Sequence, residues 1–432
     1  MARPGDALHA LADEPVARLF PLTALPRAPV LDWSSFRADR QPDPAGAGAT
    51  TSVQDLPSVV YTTSGRAAIY QALLQLALPE GSCVLVPTYH CPTMVAPVLR
   101  AGMRPGYFGL RPDGLPDIAQ LDRRGVDGVR VIIVAHYFGL PRSLAEVRSW
   151  CDARGIALIE DCAHCYFGQA GERPVGSWGD YATASLSKFF PVPEAGLLGS
   201  AHRSITPLAL HPQSAKAQVK GCVDVLEFAV RHRRLAGVRP LLSLAFALKN
   251  RRPKAAGPHI RVDAPIADSV MRDCDMDRIG AAPLWASMAL NRTLPRQRVL
   301  ARRRENFAQY RQAFANVPGA RPLFENESPA AAPYVFPLWV DDADRVYQVI
   351  RALELPVFRW DRIWPDTPSL PQDTGPLWCR HVLQLLCHHD LRPDDIARTA
   401  QAIRRVLHPA NCALLSAVAA GGSRGETAAR SS

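Results

Sequence analysis

Gly155-Ile156-Ala157-Leu158-Ile159-Glu160-Asp161 is an apolar run closed by two acids, and Ala184-Ser185-Leu186-Ser187-Lys188-Phe189-Phe190 places a lysine 27 residues beyond the second acid. A short continuous apolar run reads as a strand buried on both faces of a parallel sheet, and open α/β sheets bind ligands beyond the carboxyl ends of such strands. Glu160 and Asp161 fall at that end. A carboxylate there and a lysine downstream suit pyridoxal phosphate (PLP), which forms a Schiff base with a lysine amine and needs an acid beside its pyridine nitrogen to keep that nitrogen protonated. Lys188 is the candidate for the first role and Asp161 for the second.

A third element lies upstream. Tyr61-Thr62-Thr63-Ser64-Gly65-Arg66 is polar, and the chain then turns helical through Ile69, Leu73 and Leu74. A Ser-Gly helix start offers unpaired backbone N–H groups and the positive end of the helix dipole, which suits a phosphate. Capping alone also explains Ser64. Around these elements, residues 83–86, 105–108, 131–135 and 157–159 read as strands, and residues 92–101 and 143–153 have helical spacing. That alternation argues an α/β fold with a mainly parallel central sheet and helices on both faces.

Six segments carry a family resemblance: Ser64-Gly65-Arg66-Ala67-Ala68-Ile69, Gly81-Ser82-Cys83-Val84-Leu85-Val86-Pro87-Thr88, Ala135-His136-Tyr137-Phe138-Gly139-Leu140-Pro141, Glu160-Asp161-Cys162-Ala163-His164, Thr183-Ala184-Ser185-Leu186-Ser187-Lys188 and Pro193-Glu194-Ala195-Gly196. In order and spacing they resemble the DegT/StrS-type sugar aminotransferases, a branch of the fold-type I PLP enzymes, and the match runs from about residue 55 to 408. The resemblance implies that Lys188 holds the cofactor and Asp161 pairs with its ring nitrogen. It places Ser64, Gly65 and Arg66 on the phosphate, with Thr183, five before the lysine, as the family's phosphate-binding hydroxyl and Ser185 as a second candidate. The chain also departs from the family. The ring-stacking aromatic falls on Cys91, leaving Tyr89 or His90 as substitutes. His164 replaces a Gln and can bond the cofactor's phenolic oxygen or pack on its ring. Phe189 replaces the Asn after the lysine, and Pro193-Glu194-Ala195-Gly196 replaces Gly-Glu-Gly-Gly, which should stiffen that loop.

By the same resemblance the activity is a transamination from an amino acid, glutamate in most of the family, to a keto sugar carried on a nucleotide. The retained Lys188 argues against the family's dehydratases, which have His there. A homodimer is implied, although the family's partner-chain Asn motif is not recognisable around Asp275-Met276-Asp277-Arg278. Acceptor contacts are expected around Arg359-Trp360-Asp361-Arg362 and His388-His389. The alternative is a protein that keeps the fold as a binding or assembly module.

The implied organisation is an irregular arm over 1–55, anchored by Phe20-Pro21-Leu22-Thr23 and Asp32-Trp33, a large PLP-binding domain over 56–270, linking helices over 271–318, a smaller α/β domain over 319–408, and a disordered tail over 409–432. Within the linking helices, the basic residues of the run from Arg296 to Phe307 are expected on a solvated face. In the small domain, residues 334–340 read as a strand and Asp394-Asp395-Ile396 begin the last helix. The segment 203–268 is longer than its family counterpart and holds two apolar helical stretches flanked by Arg and Lys. The expected reading is two helices packed on the body with solvated basic ends; docking on a membrane surface or a protein partner is the other.

Composition bounds the rest. The 432 residues are 47% hydrophobic and 21% charged, those of a globular chain large enough for two domains. No apolar run approaches the roughly 20 residues of a membrane helix, and no apolar stretch follows the first residues as in an export signal, so a cytoplasmic enzyme is expected. The formal charge of +10 comes without a nucleic-acid motif and suits anionic small substrates instead. Ten scattered cysteines favour a reducing compartment. Cys162 and Cys165 have a C-x-x-C spacing but no second pair at a zinc-like distance, so they are expected to be ordinary buried thiols, and no metal is expected.

Overall fold

A computed structural model describes residues 25–37, 51–250, 266–325, 332–352 and 355–408. The expected tail over 409–432 and the Phe20-Pro21-Leu22-Thr23 anchor lie outside the described residues.

The main sheet has seven strands. β1 (Ser58–Thr62), β2 (Cys83–Pro87), β3 (Arg104–Phe108), β4 (Val129–Ala135) and β5 (Ala157–Asp161) come first; a small hairpin, β6 (Gln169–Ala170) and β7 (Arg173–Pro174), follows; β8 (Tyr181–Ser185) and β9 (Gly196–Ser200) complete the set. Their order is β1-β9-β8-β5-β4-β2-β3. All pairings are parallel except those of β9, which runs antiparallel to both neighbours. The strand period of two explains the layers. Ile132, Val134 and Leu158 enter one core with Val147 and Trp150, while Val131, Ile133 and Ile159 enter a second core with Ala68, Ala72, Val95 and Val98. Helices α1 (Gly65–Gln75) and α2 (Pro92–Arg100) cover the second face; α3 (Ile118–Arg124) and α4 (Ala145–Asp152) contribute Leu121, Val147 and Trp150 to the first.

The 203–268 segment forms α5 (Ala215–Arg231) and α6 (Arg239–Asn250), and residues 251–265 lie outside the described part. The long helical pattern expected over 270–318 is broken into α7 (Ile266–Asp273), α8 (Trp285–Thr293) and α9 (Arg296–Ala313). Pro295 separates the last two, where a residue without an N–H and with a fixed φ ends one helix and opens the next. A second, antiparallel sheet of four strands has the order β10-β11-β13-β12, from β10 (Ala320–Pro322), β11 (Val335–Val340), β12 (Val357–Phe358) and β13 (Val382–Leu386). With it pack α9 and three further helices, α10 (Ala343–Ala352), α11 (Gly375–His381) and α12 (Pro393–Leu407).

The two sheets meet at Gly139. Its φ is +82°, and a Cβ there would lie 2.3 Å from the Tyr334 nitrogen, so only glycine lets the backbones approach while Tyr334 N–H donates to Phe138 O at 2.8 Å. The segment 25–37 is tied down as its Asp32-Trp33 pair suggests: Asp32 Oδ1 accepts from Leu235 N at 3.0 Å and Trp33 Nε1 donates to Ala236 O at 2.8 Å.

Candidate active site

β4 and β5 end at Ala135 and Asp161, and the segments just beyond them open one cavity of about 370 Å³ at the carboxyl edge of the main sheet. Asp161, Ala163, His164 and Lys188 line it together with Ser64, Gly65, Arg66 and Ser185. The lysine, the acid and the helix start read from the sequence are therefore brought to one place.

At one end, α1 begins. Ser64 is its N-cap, its hydroxyl accepting from Ala67 N at 3.2 Å, and helix geometry leaves the amides of Gly65 and Arg66 without intrahelical acceptors. The Ser185 and Ser187 hydroxyls lie 3.4 Å apart on the same wall. Two N–H and two O–H donors at the positive end of a helix can take an anion such as a phosphate. Gly196, the retained glycine of the Pro193-Glu194-Ala195-Gly196 loop, backs this end closely: a Cβ on it would lie 2.1 Å from Ser64 O.

At the base, Asp161 Oδ1 accepts from Ala163 N at 2.9 Å and from Thr183 Oγ1 at 3.4 Å, while Oδ2 has no hydrogen bond among the described residues. Burial raises the Asp161 carboxyl above its ordinary range, against the pull of the Ala163 N–H and of Lys188. Burial likewise lowers the Lys188 amine, offset in part by Asp161 and Cys91. Both shifts register the cost of burying charge here, a cost that a cation placed beside Asp161 Oδ2 would offset by favouring the carboxylate. The Lys188 ammonium also lies 5.3 Å from the Tyr334 ring centre. Thr183 is fully buried behind Asp161 and does not line the cavity. Its hydroxyl bonds the acid, and Ser185 is the hydroxyl that lines the cavity beside the start of α1, where counting back from the lysine puts Thr183.

The expected stacking residues are placed differently as well. Tyr89 and His90 are buried and do not line the cavity. His90 Nδ1 donates to Pro87 O at 2.7 Å, and its Nε2 accepts from Trp364 N at 3.0 Å. Burial pushes its pKa down to about 4, which keeps the acceptor nitrogen unprotonated. Tyr89 packs 5.2 Å from Trp360, ring centre to ring centre. Both residues thus support the 360–364 loop from behind, and the aromatic that reaches the cavity from that loop is Trp360, 4.8 Å from the His164 ring. Cys91 lines the cavity where the count puts the family aromatic. His164 lies in the cavity wall with its pKa held well below the ordinary value by burial and then by Lys188, so it faces the site as a neutral ring.

Glu160 points away. Its oxygens accept from His136 Nε2 at 2.8 Å and from the amides of Gly176, Trp178 and Gly179. Burial works against its charge, but these donors outweigh burial and hold it below the usual carboxylate range. His136, Glu160 and Cys162 bring potential metal-ligand atoms within 4.8 Å of one another. With both Glu160 oxygens spent and His136 Nδ1 accepting from Arg142 N, that cluster is a hydrogen-bonded brace of the strand end. Cys162 and Cys165 are buried free thiols.

The basic run of α9 corrects the expectation of a solvated face. Arg303 is fully buried on the stripe of Val299, Leu300, Phe307 and Tyr310. Its Nη2 donates to Lys188 O at 2.5 Å and its Nη1 to Pro333 O at 2.9 Å, with the guanidinium 4.6 Å from the Phe189 ring centre. Burial lowers its pKa to about 10, so it stays charged while it grips the backbone of Lys188. The four-residue spacing Val299-Arg303-Phe307 is the signal that could have found it. At the cavity mouth, Arg66 pairs with Asp275 at 3.0 Å and Arg278 with Glu194 at 2.5 Å. Arg278 and Asp275 come from the stretch where no partner-chain motif was recognisable. Of the residues named as acceptor contacts, Trp360 reaches this cavity. His388 lines a neighbouring space of about 260 Å³ that shares Ser187 and Lys188, and His389 is buried against Asp390.

Residues 54–200 match the DegT/DnrJ/EryC1/StrS aminotransferase family. The chain is 28% identical over 181 residues to a UDP-N-acetyl-3-dehydro-alpha-D-glucosamine 3-aminotransferase of Acidithiobacillus ferrooxidans, covering 41% of this chain and 47% of that one. It is 26% identical over 125 residues to a GDP-perosamine synthase of Vibrio cholerae, covering 29% and 34%. The matches thus span about a third to a half of the length of these relatives. The solved structure of AtS13 from Actinomadura melliaura superposes with a TM-score of 0.57 at 21% identity, covering 89% of this chain and 99% of that one. The fold is the α/β architecture of that structure, with a mainly parallel central sheet flanked by helices. The cavity residues from Thr63 to Glu194 all fall in the matched segment, and Asp275, Arg278 and Trp360 lie beyond it.

Proposed function

We propose that this chain is a PLP-dependent aminotransferase that moves an amino group from an amino acid, glutamate by analogy, to a keto sugar carried on a nucleotide. The observation that carries the proposal is that Lys188 and Asp161 line one cavity whose far end is the capped start of α1. The names of the related aminotransferases support the substrate class. The residues fit the cofactor. Asp161 Oδ2 is unspent, the Gly65 and Arg66 amides have no intrahelical acceptor, and Lys188 lines the same cavity.

PLP, when bound, supplies an electron-poor ring that stabilises negative charge on the substrate carbon. Ser64, Gly65, Arg66 and Ser185 would hold its phosphate, and Asp161 Oδ2 would hold the proton on its ring nitrogen. His164 and Trp360 offer flat surfaces beside the ring. Lys188 would hold the group covalently; its burial-lowered pKa leaves Nζ able to carry a proton as a base once released. Thr183 and the Ala163 N–H keep Asp161 aimed, and Arg303 keeps the Lys188 backbone in place. The ion pairs Arg66–Asp275 and Arg278–Glu194 set guanidinium groups at the mouth, where an anionic substrate enters.

The same reading includes a homodimer and a cytoplasmic location; among the described residues no helix is long and apolar enough to cross a membrane. The test is to load the purified chain with PLP, supply glutamate and other amino acids, follow the oxo acid released, and then offer a panel of nucleotide-linked keto sugars. Oxo acid formation and amination of at least one sugar are expected. If no amino acid yields its oxo acid, the fold serves as a binding or assembly module instead.

A further inference from the structure

The helix α6 carries two apolar faces, and the fold buries only one. Leu242 and Phe246 turn toward the body, where Leu242 joins a small core with Val30, Ala229 and Leu235. Leu241, Leu244 and Leu248 are 72%, 61% and 54% exposed, and with exposed Ala245 they fall at the spacing of a single helix stripe. A surface helix with one apolar face normally buries it; a second, outward stripe calls for another apolar medium.

Charge identifies that medium. Residues 231–254 contain eight Lys or Arg and no Asp or Glu. Arg231, Arg233 and Arg239 are exposed and form no ion pair with another described residue, whereas Lys249 pairs with Glu227 at 2.6 Å. We propose that the outward face of α6 lies on an anionic lipid surface, with Leu241, Leu244 and Leu248 entering the acyl boundary and the flanking guanidinium groups meeting the phosphates.

Shape and charge favour lipid over the other apolar occupants. A second copy docking through this face would be isologous, bringing each cationic flank against its own equivalent. The stripe is a convex ridge of Leu and Ala without Trp or Tyr, the residues that anchor protein interfaces. An amphipathic helix with a basic polar margin is the form that lies in a bilayer interface, and about 12 residues suffice because such helices rest on the membrane without crossing it. The inference does not depend on the catalytic reading.

The test is flotation of the full chain with phosphatidylcholine vesicles with and without phosphatidylserine. Binding is expected only to the phosphatidylserine vesicles and should weaken steeply with salt. Leu244→Asp and, independently, Leu241→Asp should each lower partition roughly tenfold or more, and Arg239→Glu severalfold. Circular dichroism and light scattering on the same variants accompany the assay, since both leucines are exposed and their loss should leave the fold intact. Failure of the folded wild type to float with anionic vesicles at low salt would overturn the proposal. So would binding unchanged in folded Leu244→Asp and Leu241→Asp variants, or a wild-type oligomer that these substitutions dissociate, which would assign the face to a protein contact.

Discussion

Replacing Gly196 by Ala tests how closely the phosphate end of the cavity is built. Gly196 pairs with Thr62 on β1 and with Ser185 on β8, so it sits between two walls of the site. An added Cβ would lie 2.1 Å from Ser64 O and 2.7 Å from Thr62 Oγ1, whereas real Cβ atoms keep at least 3.0 Å. The Ser64 carbonyl must therefore retreat by about 0.9 Å, the difference between the two distances. That carbonyl accepts from Ala68 N at 3.0 Å and from Thr62 Oγ1 at 2.9 Å, and both bonds stretch with it. Two weakened hydrogen bonds and a backbone overpacking amount to about 3 kcal/mol of stability. Displacing the helix start by nearly 1 Å should weaken PLP binding on the order of tenfold to a hundredfold. Denaturant unfolding of the cofactor-free protein and a spectroscopic PLP titration measure the two effects. Gly199→Ala is the control, because its closest contact is the flexible end of Leu56, and its PLP affinity should be unchanged. A Gly196→Ala variant with wild-type stability and PLP affinity would refute the reasoning.

Three further outcomes are expected. Arg303→Met keeps the side-chain stem but leaves the carbonyls of Lys188, Pro333 and Tyr334 without their donor, at a cost of about 3 kcal/mol, while Arg303→Lys restores part of it; thermal unfolding and PLP affinity of the pair check this. Ser64→Ala removes the α1 cap, and should cost about 1 kcal/mol in unfolding and also weaken PLP binding. The third concerns acid. His90 has a folded pKa of about 4 against 6.5 for the free side chain, so its contribution is fully present above pH 6.5 and is lost as pH falls toward 4. The loss amounts to about 3 kcal/mol for this one group. His164, His388 and His389 are lowered by burial in the same sense and steepen the decline. Urea unfolding of the cofactor-free protein at a series of pH values should give a slope that His90→Gln reduces by one proton; an identical slope in the variant counts against this assignment.

Much of the fold was legible because buried parallel strands announce themselves as unbroken apolar runs. Residues 131–135 and 157–159 fall inside β4 and β5, and Asp161 ends β5 as read. β8 and β9 carry little apolar signal: Tyr181-Ala182-Thr183-Ala184-Ser185 and Gly196-Leu197-Leu198-Gly199-Ser200 are rich in small residues, and Gly196 packs directly against the start of α1 where bulk is excluded. Lys188, Asp161, Ser64, Gly65, Arg66, His164 and Ser185 converge because each belongs to a local motif at a strand or helix end. Thr183, Tyr89 and His90 do not reach the cavity, since counting along a strand or turn fixes position without fixing the face a side chain takes. The spacing Val299-Arg303-Phe307 puts Arg303 on a buried stripe and Trp360 falls in an expected contact loop, but the partners of both, the Lys188 carbonyl and the His164 ring, depend on how the second sheet packs on the first.

The central claim is a covalent one, and borohydride reduction of the PLP-loaded protein followed by peptide mass mapping tests it most directly. The account predicts a pyridoxyl group on Lys188 and its loss in Lys188→Ala. A label on another lysine, or a protein that takes up no PLP, would contradict it.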